Sequence, residues 1–178
     1  MVDEVGLSHL TLAALAERLG VRQPSLYKHI DSMAGLQRSI SLQSKVELGD
    51  VLARAAVGRS GPGAIHAMSH AYRAWALRHP GRYQAAQFAH APGDEEDEAI
   101  SLAVVQILAD VLAAYELEGD DAIDAVRGFR SSLHGFVALE ASGGFGLTAD
   151  IDRSFERLVQ GIVFAVSRWT AQTARKAA

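Results

Sequence analysis

Residues 11–29, TLAALAERLGVRQPSLYKH, restrict the chain's local fold more than any other stretch. Leu12, Leu15 and Leu19 recur at helical spacing, the pattern stops at Gly20, and it resumes at Leu26 beyond Pro24. A glycine can end a helix in the left-handed conformation, and a proline is tolerated in a first helical turn. The stretch therefore reads as two short helices meeting at a tight corner. Thr11 is expected to cap the first helix and Val21 to plug the corner, with Leu12, Leu15 and Leu19 as its buried stripe. Leu26 and Ile30 then face inward, which leaves Arg22, Gln23, Ser25, Tyr27, Lys28 and His29 outward, each able to hydrogen-bond. A helix this short and polar suits the major groove of DNA, with side chains at base edges and phosphates. An ordinary pair of helices at a corner would show the same local pattern.

Charge places any nucleic-acid contact in this region. The whole chain of 178 residues is acidic, with formal charge −4. Residues 1–60 nevertheless hold seven Lys and Arg against six Asp and Glu, so the acidity lies downstream. There is no cysteine, which removes disulfides, thiolate catalysis and thiolate metal ligation. The opening MVDEVG carries acids where a signal peptide carries bases, and no uninterrupted apolar run approaches the roughly 20 residues of a membrane span. A soluble cytoplasmic protein that does not enter a membrane is expected.

The fold class expected is all-α. Prolines occur only at 24, 62, 80 and 92, and glycines gather near 58–63 and 143–146, between long helical patterns. Asp31-Ser32 offers an N-cap for a helix running to about residue 56, and a second ends before Pro80. A short helix over 82–88, one whose first turn is the acidic run GDEEDE, and two more over about 120–141 and 150–174 complete the chain. The last repeats Phe155, Leu158, Val159, Ile162, Val163, Val166 and Trp169 as an apolar stripe. With the small residues Gly128, Ser131, Ser132 and Gly135 before it, this stripe is read as a homodimer interface.

The string LTLAALAERLGVRQPSLYKHIDSMAGL resembles the DNA-binding signature of the tetracycline-repressor (TetR) family, over about residues 3–45. YRAWALRHPGRYQ and LHGFVALEASGGFG are similar to the regulatory domain of a subgroup named for a Trp-His-Gly triplet, although Leu133 stands in place of the Trp. The resemblance implies a helix-turn-helix head over 1–45 and a helical regulatory and dimerisation domain over 46–178. It also implies that Gln23, Pro24 and Lys28 face bases, that Ser25, Tyr27 and His29 hold phosphates, and that Arg22 can reach either. The sequence departs from the family pattern at Leu12, Ala13 and Ala14, where a polar base contact is common, and at Met33, where a phosphate-binding Lys is common. The family's first helix normally runs about three turns, and residues 2–6 match its last turn, so a shortened first helix is expected.

Beyond the head, Tyr72, Trp75, Phe88, Phe129, His134 and Phe136 are candidate lining for a pocket taking a small, largely apolar effector. His134 reads equally as a core histidine bonded to a carbonyl. His66 and His70 lie four residues apart on one helix, but no Glu follows as in H-E-x-x-H, so no metal and no cofactor are expected. No nucleophile with a partnered base and no phosphate loop points to an enzyme. The function implied is a DNA-binding repressor released from a pseudo-palindromic, double-stranded operator by the effector. The alternative is a degenerate helical adaptor or small-molecule-binding protein that keeps the corner as scaffold.

Overall fold

The computed structural model describes residues 1–89 and 91–176, with side chains of the last helix described up to Trp169. Among them the chain is all-helical, with no strand. The elements are α1 (Val2–Val5), α2 (Leu12–Leu19), α3 (Gln23–Leu26), α4 (Met33–Ala56), α5 (Gly61–Arg78), α6 (Pro80–Ala86), α7 (Glu95–Leu112), α8 (Gly119–Ala141) and α9 (Ile151–Lys176). Two short 3₁₀ turns, Leu7–His9 and Ala113–Tyr115, join them.

Local chemistry sets most of these boundaries. The Thr11 hydroxyl accepts from Ala14 N–H at 3.1 Å and that of Ser32 from Gly35 N–H at 3.0 Å. Asp94 and Asp150 do the same for α7 and α9, accepting from Asp97 and Arg153 N–H. Pro80 begins α6 instead of merely ending α5, because an N–H in the first turn has no intrahelical acceptor and its loss costs nothing.

A large core is built from the second half of α4 through α9, with Leu52, Ile65, Met68, Leu133, Val137, Phe155 and Val159 fully buried. Two smaller clusters involve the head: Leu7 and Leu10 with Ala85 of α6, and, within the head, Leu12, Ala16 and Leu26. α4 runs from the head into the large core, so it has no single apolar face. At Gly49 it comes so close to α7 that an added Cβ would lie 3.2 Å from Val104.

The structure corrects three expectations. The stripe Phe155, Val159, Ile162 and Val166 is buried within the single chain, so it cannot be the dimer face. Leu19 and Val21 are 59% and 43% exposed; Ala16, a turn earlier, fills the place given to Leu19, and Val21 does not plug the corner. The segment Glu95–Tyr115, spanning α7, does have the length and mean hydropathy (1.6) of a membrane-crossing helix. Here its Leu108, Leu112 and Tyr115 pack into the core, as an apolar inner face of a bundle helix does.

Candidate DNA-binding head and effector cavity

The corner between α2 and α3 is made by Gly20, whose φ of 66° and ψ of 27° are left-handed. Its N–H returns to Ala16 O and Glu17 O, while Val21 N–H bonds to Ala16 O at 3.0 Å, closing the end of α2. α3 is a single turn, shorter than the outward set that it begins. The chain keeps a helical path beyond it, with His29 N–H and Ile30 N–H bonding to Leu26 O at 2.8 and 2.9 Å.

Leu26 is the buried pin of this segment, packed with Leu12 and Ala16 and flanked by Leu15, Ile30, Met33 and Leu36. Around it Arg22, Gln23, Pro24, Ser25, Tyr27, Lys28 and His29 are all exposed. All seven candidate DNA contacts are thus solvent-exposed within this one segment. Met33 is not free to approach a phosphate: its side chain packs against both head clusters. That gives the departure from the family's Lys at this position a structural role.

The head is tied to the rest through α1 and α6. Gly81 sits so close to α1 that an added Cβ would lie 2.1 Å from Val2 O, so only glycine fits. Next to it, Arg82 donates its backbone N–H and Nε to Asp3 (2.8 and 2.7 Å) and Nη1 to Glu47 on α4 (2.7 Å). Burial pushes the Asp3 carboxyl up, but the hydrogen bonds and charge of Arg82, with His79, outweigh it and hold the group below its ordinary value. α4 also bonds to α6 through Ser41 Oγ and Ala85 O, 2.9 Å apart.

Behind the head, α4, α5, the end of α6, α7 and α8 enclose a cavity of about 480 Å³. Leu48, Leu52, Leu102, Val104, Val105, Leu108 and Leu133 supply the leucine and valine part of its wall. Three candidates, Tyr72, Phe88 and Phe129, line it; Trp75, His134 and Phe136 do not. Trp75 is buried with its ring 5.7 Å from His79, and Phe136 packs on Phe145 and Phe155 at 4.8 and 5.1 Å, holding the α8–α9 loop. His134 is bonded to a phenol and not to a carbonyl. Its Nδ1 lies 2.7 Å from Tyr83 Oη, which is 3.0 Å from Tyr72 Oη. Burial raises both phenols and keeps them neutral, so each can donate or accept in this chain.

Sequence reasoning missed the polar part of the wall, namely Lys45, Gln87, Glu98, Ser101 and Arg130. Lys45 is buried and paired with Asp97, which also accepts from Ser101 Oγ at 3.1 Å. Its position in a mostly apolar helical run was visible; the acid 52 residues away was not. Arg130 is exposed, and its Nη2 lies 3.5 Å from Gln87 Oε1, a long contact that leaves most of its donors available.

Residues 65–162 match the family model for the tetracyclin repressor-like C-terminal domain. An uncharacterized HTH-type transcriptional regulator of Mycobacterium tuberculosis is 36% identical over 171 residues, covering 95% of this chain and 78% of the relative. The chain belongs to the TetR family. The uncharacterized HTH-type transcriptional regulator YobS of Bacillus subtilis is also similar, 33% identical over 85% of this chain and 78% of its own length. In fold, the chain is similar to a TetR variant from Acinetobacter baumannii solved in complex with minocycline. The TM-score is 0.69 at 21% identity, covering 95% of this chain and 91% of that one. As a TetR-family chain the protein is a helix-turn-helix transcription regulator, with a DNA-binding head and a helical C-terminal region. The family is one of regulators, not of enzymes.

Proposed function

We propose that the protein is a cytoplasmic, dimeric repressor that binds a pseudo-palindromic operator and leaves it when a small molecule fills the cavity. The observation that carries this reading is the outward set from Arg22 to His29 around the buried pin Leu26. Gln23, Pro24 and Lys28 are assigned to bases, Ser25, Tyr27 and His29 to phosphates, and Arg22 to either. Residues 1–45 serve as the reading head and 46–178 as the regulatory and dimerising part.

The dimer is assigned to the outer faces of α8 and α9. Ser131, Gly135, Ala138 and Leu139 are exposed on α8, and Gly161 and Phe164 on α9. A Cβ added at Gly135 or Gly161 would meet nothing within 4 Å, so a second helix has room to approach. Leu139 and Phe164 are 50% and 62% exposed, an apolar pair that a partner would cover.

The effector is assigned an apolar body, matching the leucine and valine walls, and a polar end near Gln87 and Arg130. Release follows from population shift: a ligand favours a spacing of the two heads that no longer matches half-sites about one helical turn apart. The test is selection of bound duplexes from a random library, followed by anisotropy titration. Enrichment of an inverted repeat, lost in Gln23→Ala/Lys28→Ala, is the expected result. No enrichment over random DNA at low salt would overturn the reading in favour of a helical adaptor or ligand-binding protein.

A further inference from the structure

His66 and His70 face the same side of α5, one turn apart, and the fold sets Glu156 of α9 against them. His66 Nδ1 lies 3.4 Å from Glu156 Oε1, and His70 Nε2 lies 3.2 Å from Glu156 Oε2. The three residues each offer one ligand atom, all within 4.8 Å of one another. Donors bound at about 2.0–2.1 Å to a tetrahedral ion are themselves about 3.3 Å apart; each imidazole nitrogen is already near that distance from one oxygen of the carboxylate, His66 from Oε1 and His70 from Oε2, so small side-chain rotations would bring three donors around one ion. The side chains are also held in place. Gln160 Nε2 donates to Glu156 Oε1 at 3.1 Å, and the His70 ring stands edge-on to the buried Phe155 at 5.3 Å.

We propose that His66, His70 and Glu156 form a binding site for a divalent transition-metal ion of borderline softness, such as Zn²⁺, joining α5 to α9. Two imidazoles with one carboxylate suit such ions, whereas Mg²⁺ and Ca²⁺ require more oxygen ligands. All three residues are partly exposed, His70 at 53%, so water can complete the coordination and the ion can enter from solvent. The site lies outside the cavity, but His70 precedes the cavity residue Tyr72 by two positions on α5. A bound ion would therefore fix the segment that carries part of the cavity wall. Spacing alone could not reveal this, because the third ligand is 86 residues from His70.

The experiment uses the full chain without an affinity tag, titrated with Zn²⁺ against a chromophoric chelator and, separately, with Co²⁺ followed by its d–d absorption. One equivalent per chain and a raised Tm are expected, with no response to Mg²⁺. Glu156→Gln and His70→Ala should each weaken Zn²⁺ binding by more than about tenfold, the range in which even indirect ligand changes act. Both should keep the metal-free helical signal, and His9→Ala should bind as the parent does. Binding that survives Glu156→Gln unchanged, or no stoichiometric uptake at micromolar metal, would overturn the proposal. No DNA is present in the assay, so its outcome is independent of operator binding.

Discussion

Lys28 and Tyr27 are neighbours in the chain and exposed together, yet they are assigned different work. A lysine ammonium at a base edge can discriminate guanine by about 1–3 kcal/mol, while a phenol on a phosphate carries no sequence information. Lys28→Ala is therefore expected to change base preference within the half-site, and Tyr27→Phe to lower affinity for all duplexes alike. Anisotropy against a panel of half-site variants at several salt concentrations separates the two. Equal loss on every sequence for Lys28→Ala would make it a phosphate contact and leave the bases to Arg22 and Gln23. Lys45 poses a different question, because its charge is buried against Asp97 at the cavity wall. Removing one partner of a buried pair strands the other, which costs about 3–5 kcal/mol, whereas replacing both by apolar groups is often close to neutral. Lys45→Met should thus be strongly destabilising in urea denaturation, and Lys45→Met/Asp97→Leu should recover most of the loss. A double variant no better than the single would mean that the hydrogen bond from Ser101, and not the charge pair, secures this end of α7.

Along α9 the two sides of the helix make opposite predictions. Ile162 is buried in the chain's own core, so Ile162→Glu is expected to lower Tm sharply, by burying an unpaired charge. Phe164 is 62% exposed, so Phe164→Glu should leave each chain folded, lower Tm only by what dimer association contributes, and produce a monomer in sedimentation. A dimer that persists in Phe164→Glu would move the interface off this face. α1, only four residues long, depends on its tie to α6 through Asp3 and Arg82. Because the Asp3 carboxyl is held below its ordinary value near 3.8, the stabilisation is fully present above that pH and is lost as pH falls through the lower, folded value. Amide exchange in residues 4–6 should accelerate over that acid range before exchange in α8 does, and simultaneous loss would show that α1 has no separate anchor. Helix ends were legible where a side chain caps them locally, at Thr11 and Ser32, since the cap and its target are three residues apart. The outward set from Arg22 to His29 was legible for the same reason: one turn and one buried leucine determine it. The apolar stripe of α9 was legible too, but not that it packs into the chain's own core, because periodicity marks an apolar face without naming what covers it. The partners of Lys45, His134 and Glu156 lie 52, 51 and 86 residues away, distances that no periodicity spans.

Communication between cavity and operator requires an element that touches both the cavity and the head and has two arrangements, and α6 meets the first condition. Ala86, Gln87 and Phe88 at its C-terminal end line the cavity, while Gly81 and Arg82 at its start dock on α1 and α4. A ligand that displaces the end of α6 therefore acts on the head through Arg82, Asp3 and Glu47. Linkage makes this measurable in both directions, since the factor by which a ligand weakens operator binding equals the factor by which the operator weakens ligand binding. With a ligand found by thermal-shift screening, that factor should fall within the usual range of about 5–150 for the parent chain. Arg82→Ala removes no cavity wall and no residue of the reading surface, so ligand and operator should each still bind alone. Their mutual effect should shrink toward one, in operator titrations with and without ligand and in ligand titrations with and without operator. An undiminished factor in Arg82→Ala would instead route the coupling through α4 and the start of α7. There Arg38 grips Asp94 and Glu96, and Lys45 holds Asp97.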